Sequence, residues 1–329
     1  MPHATFHVPG LFRSRHVQTL CAAAPFFVRS KRPGPHDKQL RFRIDNGALH
    51  AVAQEASTPC PKGLVLLVHG IGGTTQSQYV MRAARHLLAQ GFDVVRLNLR
   101  GAGSSMPDAP TLYHAGLTSD LDAVVRQVQP RAGKLHIGGF SGGGSLALKM
   151  AAEWGSNVPG HVGALVAVSS PLDFEAIGRW IDSPPCVPYR FHVMRGLVRM
   201  ARAFARTHPG KTAFDVRRLS RLGRVYDYDR EVIVPMHGFA SVESYWRAAS
   251  PGPLLPAVRT PALLLQAKDD PMVPWSTYAP WLKAASTCIE VRTSAHGGHL
   301  GWVAGMREHD WVASWPVQQM AAFFATHED

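Results

Sequence analysis

Four short apolar runs dominate the first half of this chain: GLVLLVHG (63–70), FDVVRLNL (92–99), KLHIGGF (134–140) and VGALVAVSS (162–170). Each is continuous rather than alternating, which is the pattern of a strand buried on both faces. Between them, apolar residues recur at helical spacing. Val80, Ala83, Ala84, Leu87 and Leu88 share one face near 79–88, SDLDAVVRQV (119–128) follows Ser119 as an N-cap, and GGSLALKMAAEW covers 143–154. Strand and helix in alternation predict a mostly parallel central sheet flanked by helices, an α/β architecture. Ahead of them, LRFRIDNGALHAVAQ (40–54) alternates apolar and polar residues around Asp45-Asn46-Gly47. That pattern predicts an opening antiparallel hairpin with a type I′ turn at Asn46-Gly47.

The alternation stops after residue 170. Residues 171–255 read as helical, with many arginines between Arg190 and Arg230. It resumes with TPALLLQAKDD (260–270), a helix near 276–285, CIEVRTS (288–294) and a terminal helix near 314–326. An interruption of about eighty residues is too long for a connecting loop. It is expected to be a helical lid at the C-terminal edge of the sheet, where open α/β folds bind ligands. The expected organisation is therefore a core of 1–170 and 256–329, with an N-terminal arm over 1–38, and a lid at 171–255.

The third run leads into GGFSGGGS (138–145). A flexible linker is excluded by the strand and helix patterns that abut it. A phosphate-binding loop would need a Lys-Ser/Thr ending, and a dinucleotide fingerprint an acidic partner farther on. Gly139-Phe140-Ser141-Gly142-Gly143 instead fits G-x-S-x-G at every position, a sharp strand-to-helix turn that lifts a serine hydroxyl above the sheet. The hydroxyl needs a base to take its proton, and the base needs a carboxylate to orient it. Downstream, QAKDDPMVP offers Asp269 and Asp270 at a strand end, and SAHGGHLGW offers His296 and His299 just after the next strand. Asp270, at the start of the loop before Pro271, and His299, behind Gly297-Gly298, are the preferred pair. Asp269 is left as a cap or hydrogen-bonding neighbour and His296 as the substitute base. The oxyanion of such a reaction needs two backbone donors. Gly142 N–H is expected to be one, and the other to come from VHGIGGTT (68–75), with Ile71 preferred over Gly72. NLRGAGSS (98–105) reads as a structural turn beside the site, since it has only two of the three dinucleotide glycines.

Composition narrows the remaining choices. The 35 Lys and Arg against 23 Asp and Glu give a net charge of +12. No zinc-finger, RRM or KH signature accompanies it, so no nucleic-acid partner is expected, and peripheral contact with an anionic membrane is retained as the lesser option. No apolar run is long enough to span a bilayer, and the N-terminus lacks a signal-like segment, which points to a cytoplasmic product. Cys21, Cys60, Cys186 and Cys288 are far apart, so they are expected to be reduced and mostly buried, with no metal site and no cofactor.

These pieces together resemble the α/β-hydrolase superfamily and, within it, the YheT-like hydrolases, akin to the eukaryotic ABHD lipases and yeast medium-chain ethyl ester synthase/esterases. The segments that carry the likeness are RSRHVQTL (13–20), HGIGGTTQSQY (69–79), NLRGAGSS, YHAGLTSDL (113–121, with Ala115 where the family usually has serine), RVYDYDREVIVPMHGFASVESYWRAAS (224–250), AKDDPMVP and SAHGGHLGW. The resemblance implies the α/β-hydrolase fold, a Ser141–Asp270–His299 triad, no metal, and hydrolysis of a small-molecule or lipid-like carboxylic ester. Phe191, Met194, Leu197, Val198, Met200 and Phe204 are candidates to line an acyl pocket, although most are expected to pack the lid helices. An alcohol acyltransferase with the same triad and a non-catalytic ligand-binding relative are the alternative readings. A carboxylate nucleophile, as dehalogenases and epoxide hydrolases need, is excluded by Ser141.

Overall fold

The computed structural model describes residues 6–23, 37–305 and 314–328. Eight strands form one sheet: β1 (Lys38–Ile44), β2 (Gly47–Gln54), β3 (Gly63–Val68), β4 (Asp93–Leu97), β5 (Lys134–Phe140), β6 (Val162–Val168), β7 (Ala262–Ala267) and β8 (Ile289–Ser294). Their spatial order is β1-β2-β4-β3-β5-β6-β7-β8. β1 and β2 pair antiparallel, as do β2 and β4, and every later pair is parallel.

Eleven α-helices are described: α1 (Arg15–Ala23), α2 (Gln78–Ala89), α3 (Thr118–Gln127), α4 (Gly142–Trp154), α5 (Phe174–Ile181), α6 (Val187–Thr207), α7 (Val225–Tyr228), α8 (Val234–His237), α9 (Val242–Ala249), α10 (Trp275–Leu282) and α11 (Ser314–Ala325). The unbroken apolar runs follow from a sheet covered on both sides. Leu64, Leu66 and Val68 of β3 pack on the face of α3 and α4, whereas Val65 and Leu67 pack on the face of α2 and α11. With successive side chains on opposite faces, both sets must be apolar.

Residues between β6 and β7 carry α5 to α9 and build a separate apolar cluster from Phe174, Met194, Leu197, Phe204, Tyr228, Val232 and Trp246. The chain thus leaves the sheet and returns to it after a helical segment whose cluster also takes in Leu112 and Ala115, while its Ile177, Ile181 and Tyr189 pack with the core of the sheet.

Several local expectations are corrected. α1 precedes the hairpin, so the described fold does not begin with the antiparallel pair. The hairpin turns at Asp45-Asn46, with Ile44 paired to Gly47 and only Asn46 at positive φ (56°), so the turn is not type I′. Gly47 belongs to β2, where a Cβ would fall 2.3 Å from Asp108 O. Ser119 lies inside α3, whose N-cap is Leu117, and Ser119 therefore caps nothing. Of the four free cysteines only Cys186 is buried; Cys60 is exposed and Cys21 and Cys288 lie between. Part of the 1–38 arm falls outside the described residues.

Candidate active site

β5 ends at Phe140 and α4 begins at Gly142, leaving Ser141 alone in the turn with φ 50° and ψ −128°. A non-glycine residue is costly there and persists only where its surroundings enforce it. Ser141 N–H donates to Val168 O at 2.8 Å, tying the turn to the end of β6. The glycines around it are steric requirements. A Cβ on Gly139 would fall 2.4 Å from Gly144 Cα, and one on Gly143 would fall 2.3 Å from His69 O.

The acid and base converge on this turn from two strand ends. Asp270 follows β7, and its Oδ1 accepts the N–H groups of Met272 and Val273, each at 2.8 Å. That fixes the carboxylate and leaves Oδ2 at 2.9 Å from His299 Nδ1. His299 Nε2 lies 3.1 Å from Ser141 Oγ. With Nδ1–H donated to Asp270, Nε2 is the lone-pair nitrogen facing the hydroxyl. Asp269 points elsewhere: its Oδ1 accepts Gly298 N–H at 2.9 Å and its Oδ2 sits 3.3 Å from His296 Nδ1. The structure thus joins Ser141, His299 and Asp270 in one hydrogen-bonded chain, and uses Asp269 and His296 to brace the loop.

A second brace comes from the opposite end of the chain. Thr19 Oγ1 accepts His299 N–H at 2.9 Å. Gln18, fully buried, donates to Phe12 O and Val303 O and accepts Val303 N–H at 2.7 Å. α1 therefore clamps the His299 loop on both sides. The sequence carried these residues only as part of a family-like segment, with no role attached; an amide and a hydroxyl beside apolar helix positions were the available signal.

The loop after β3 faces the serine. Gly70 N–H donates to Tyr79 Oη at 3.0 Å and Gly72 N–H to Tyr113 Oη at 2.6 Å. Among the described residues, Ile71 N–H and Gly142 N–H take no such partner, and a Cβ on Gly142 would lie 3.6 Å from Ile71 N. Ile71 and Gly142 are thus close neighbours beside Ser141, each with an unengaged N–H, while Gly72 is already engaged. Tyr113 is positioned in turn by the NLRGAGSS turn, because Tyr113 N–H donates to Arg100 O and the buried Arg100 guanidinium grips both oxygens of Asp120 at 2.8 and 2.5 Å. His69, at the end of β3, donates from Nδ1 to Gly70 O and accepts Leu99 N–H at Nε2. Burial pulls its pKa down to about 4, so it is neutral at pH 7.

Ser141 and His299 open into a cavity of about 290 Å³. Its walls come from the sheet side (Ile71, Tyr113, Val273), from α1 (Leu20), and from the helices between β6 and β7 (Ile177, Leu197, Met200, Trp246). Of the six candidate acyl-pocket residues, Leu197 and Met200 line it; Met194 and Phe204 are buried among the helices, Val198 is half-buried against them and Phe191 is exposed. One wall is polar. Asp229, whose pKa is pushed up to about 7 by burial against the opposing pull of its Trp246 Nε1 hydrogen bond at 2.7 Å, sits beside Tyr228. Among the described residues, no cluster of His, Cys, Asp or Glu is placed to hold a metal, and no helix is long and apolar enough to cross a membrane.

An eight-stranded, mostly parallel sheet with a strained serine between β5 and α4 is the architecture of an α/β hydrolase. Residues 63–303 match the α/β hydrolase fold family, and the chain belongs to that family. A Synechocystis relative is 30% identical over 264 residues, covering 74% of this chain and 71% of its own; its esterase designation is itself provisional. YheT of Escherichia coli, designated an esterase on the same provisional footing, is 25% identical over 92% of this chain and 89% of its own. The monoacylglycerol lipase of Saccharomyces cerevisiae is 28% identical over 77% and 57%. Among solved structures, a Pyrococcus furiosus esterase superposes with a TM-score of 0.59 at 14% identity, covering 91% of this chain and 96% of its own. Esterase- and lipase-type hydrolases are thus the relatives of this chain.

Proposed function

We propose that this protein is a serine esterase that cleaves carboxylic esters through an acyl-enzyme, with Ser141, His299 and Asp270 as its triad. The observation that carries the reading is the continuous hydrogen-bonded chain from Asp270 Oδ2 through His299 to Ser141 Oγ, ending in a largely apolar cavity. Ser141 Oγ attacks the ester carbonyl carbon while His299 Nε2 takes its proton; Asp270 keeps Nδ1 protonated and stabilises the imidazolium. The carbonyl oxygen becomes an oxyanion held by Ile71 and Gly142 N–H, whose charge-directed hydrogen bonds act most strongly in the transition state. Collapse expels the alcohol, which leaves with the proton from His299. Water, deprotonated by the same nitrogen, then attacks the acyl carbon and releases the acid and free Ser141. The helices of 171–255 act as the lid, and their Leu197, Met200 and Ile177 form much of the wall against which the acyl chain lies.

The test is turnover of p-nitrophenyl esters of graded acyl length by the wild type and by Ser141→Ala. Loss of the nucleophile is expected to cost on the order of a millionfold in kcat. Equal turnover by the variant, or none by the wild type on any chain length, overturns the reading. Adding ethanol and looking for ethyl ester in the products separates hydrolysis from acyl transfer by the same machinery.

A further inference from the structure

Of the exposed large hydrophobic residues of the described chain, Val17, Leu20, Ile71, Val187, Phe191 and Val216, two line the cavity and three more stand on α1 and α6, the helices beside it. Leu20 and Ile71 line its mouth directly. Val17 stands three residues before Leu20 on the same face of α1. Val187 and Phe191 are one turn apart on α6, interleaved with the cavity-lining Pro188, Tyr189 and His192. His16 Nδ1 and Tyr189 Oη, 2.5 Å apart, hold α1 against α6, so the two apolar edges are neighbours. α6 also crosses the loop after β3 at close range, since a Cβ on Gly72 would lie 3.9 Å from Gly196 Cα. Phe191 is 71% exposed and Leu20 61% exposed, a large concession to water around one opening.

The same helix supplies the charge. α6 contains Arg190, Arg195, Arg199, Arg202 and Arg206 and no acidic residue in 21 positions. Its exposed positions Val187, Phe191, Arg195, Arg199, Arg202 and Arg206 follow at intervals of three or four, so they form one stripe, apolar at the mouth and basic beyond it. At 1.5 Å per residue the stripe runs roughly 30 Å. Among the described residues none of its four arginines forms an ion pair, and the pKa of His192, lowered chiefly by burial, is pushed further down by Arg195 and Arg199. Arg13 and Arg15 add exposed positive charge beside Val17.

We propose that this rim is a docking face for an anionic lipid surface. Val17, Leu20, Ile71, Val187 and Phe191 enter the headgroup boundary, the arginines of α6 pair with lipid phosphates, and the cavity mouth is presented to the bilayer. The combination favours lipid over nucleic acid because exposed aliphatic and phenylalanine side chains lie at and beside the opening, where a phosphate backbone would find nothing to pair with. The proposal deepens the esterase reading, since it makes the substrate an ester that partitions into lipid and enters from the membrane side.

The experiment is vesicle co-sedimentation of the full chain carrying Ser141→Ala, so that docking is read without turnover. Phosphatidylcholine vesicles are compared with vesicles also containing phosphatidylglycerol, at low and high salt. Binding is expected on the mixed vesicles, weakening steeply with salt, with little on phosphatidylcholine alone. Val187→Ser/Phe191→Ser is expected to lower the partition about tenfold. Arg195→Gln/Arg199→Gln is expected to lower it by about 25-fold, at about fivefold per charge, and to flatten the salt dependence. Lys62→Gln/Lys134→Gln, which removes two charges at the starts of β3 and β5 on the opposite edge of the sheet, is expected to leave binding unchanged. Thermal unfolding of each variant checks that it folds. Absence of vesicle binding, equal loss in the Lys62/Lys134 control, or retention on DNA without vesicle binding overturns the proposal. Wild-type hydrolysis of soluble p-nitrophenyl butyrate is measured separately, so a failure of the esterase reading is distinguishable from a failure of docking.

Discussion

Tyr113 Oη accepts the Gly72 N–H at 2.6 Å, which takes Gly72 out of the backbone donors free to serve the chemistry proposed at Ser141. With Gly70 engaged by Tyr79 and Gly72 by Tyr113, Ile71 N–H is left without a hydrogen-bond partner among the described residues. Tyr113→Phe removes only the hydroxyl and leaves Gly72 N–H partly buried and unpaired, a cost of about 1–3 kcal/mol concentrated in that loop. The expected outcome is about a tenfold fall in kcat with KM little changed, because a displaced Ile71 N–H is felt most by the transition state. Unchanged kcat on a p-nitrophenyl ester would show that the loop holds its shape without Tyr113.

The clamp from α1 leads to a second expectation. Gln18 makes three hydrogen bonds from a fully buried position, two of them to Val303, four residues beyond His299. Gln18→Leu keeps the approximate volume and strands the Val303 N–H and C=O. Misplacing a catalytic group by about an ångström can cost about a hundredfold, so kcat is expected to fall by about tenfold to a hundredfold, with KM unchanged. Thr19→Val, which removes the acceptor of His299 N–H at 2.9 Å, is expected to act in the same direction. If both variants lose stability yet keep full kcat per folded molecule, the clamp serves the fold and not the base.

The reach of the sequence differs between these features. The chain order of a serine after one strand, an acid after another and a histidine after the next was visible because buried strands announce themselves as unbroken apolar runs. Their C-terminal ends are then the only places for such groups to meet. Choosing between Asp269 and Asp270 rested on Pro271, and the structure separates them by the backbone: Met272 and Val273 N–H groups take Asp270 Oδ1, while Gly298 N–H takes Asp269. What escaped were contacts between segments remote in sequence. Gln18 meets Val303 across 285 positions, and nothing local to either residue encodes that meeting. The turn falls at Asp45-Asn46, and the glycine at 47 answers instead to Asp108 O, far along the chain, which would lie 2.3 Å from a Cβ there. The polar wall at Tyr228 and Asp229 was hidden for the same reason, since DYDRE reads as an exposed helix until α9 covers it.

That wall gives a prediction in pH. Asp229 has a folded pKa of about 7, raised above its unfolded value by burial, so between pH 4 and 7 the folded state holds a proton that the unfolded state has lost. Stability from this group therefore falls as pH rises through that window. His69 and His136, with folded values of about 4, and His114, at about 3, work the other way. The unfolded chain binds their protons first, so their contribution is present above about pH 6.5 and lost as pH falls toward 4. Asp229→Asn retains an acceptor for Trp246 Nε1 and removes the titration. The variant is expected to come close to the wild type near pH 4 and to exceed it at pH 8 by on the order of 4 kcal/mol. Urea midpoints at the two pH values check this, and an equal offset at both would refute it.

The last prediction separates geometry from chemistry at the turn. Gly142 and Gly143 are adjacent, yet a Cβ meets different neighbours at each: Ile71 Cγ1 at 2.8 Å for Gly142, and the backbone oxygens of His69 and Val68 at 2.3 and 2.6 Å for Gly143. A flexible side chain yields and a strand backbone does not. Gly143→Ala is therefore expected to destabilise the fold by roughly 3 kcal/mol or more, the range of severe core clashes, and to yield little folded protein. Gly142→Ala is expected to fold with near-native stability while pushing Ile71 aside, which disturbs both N–H groups next to Ser141 together. For that variant kcat should fall by about a hundredfold, as when an oxyanion donor is lost. Active-site labelling by a fluorophosphonate distinguishes the two cases. Folded Gly142→Ala protein should still react at Ser141, only slowly, whereas a fully active Gly142→Ala enzyme would remove Ile71 and Gly142 N–H from the proposed mechanism.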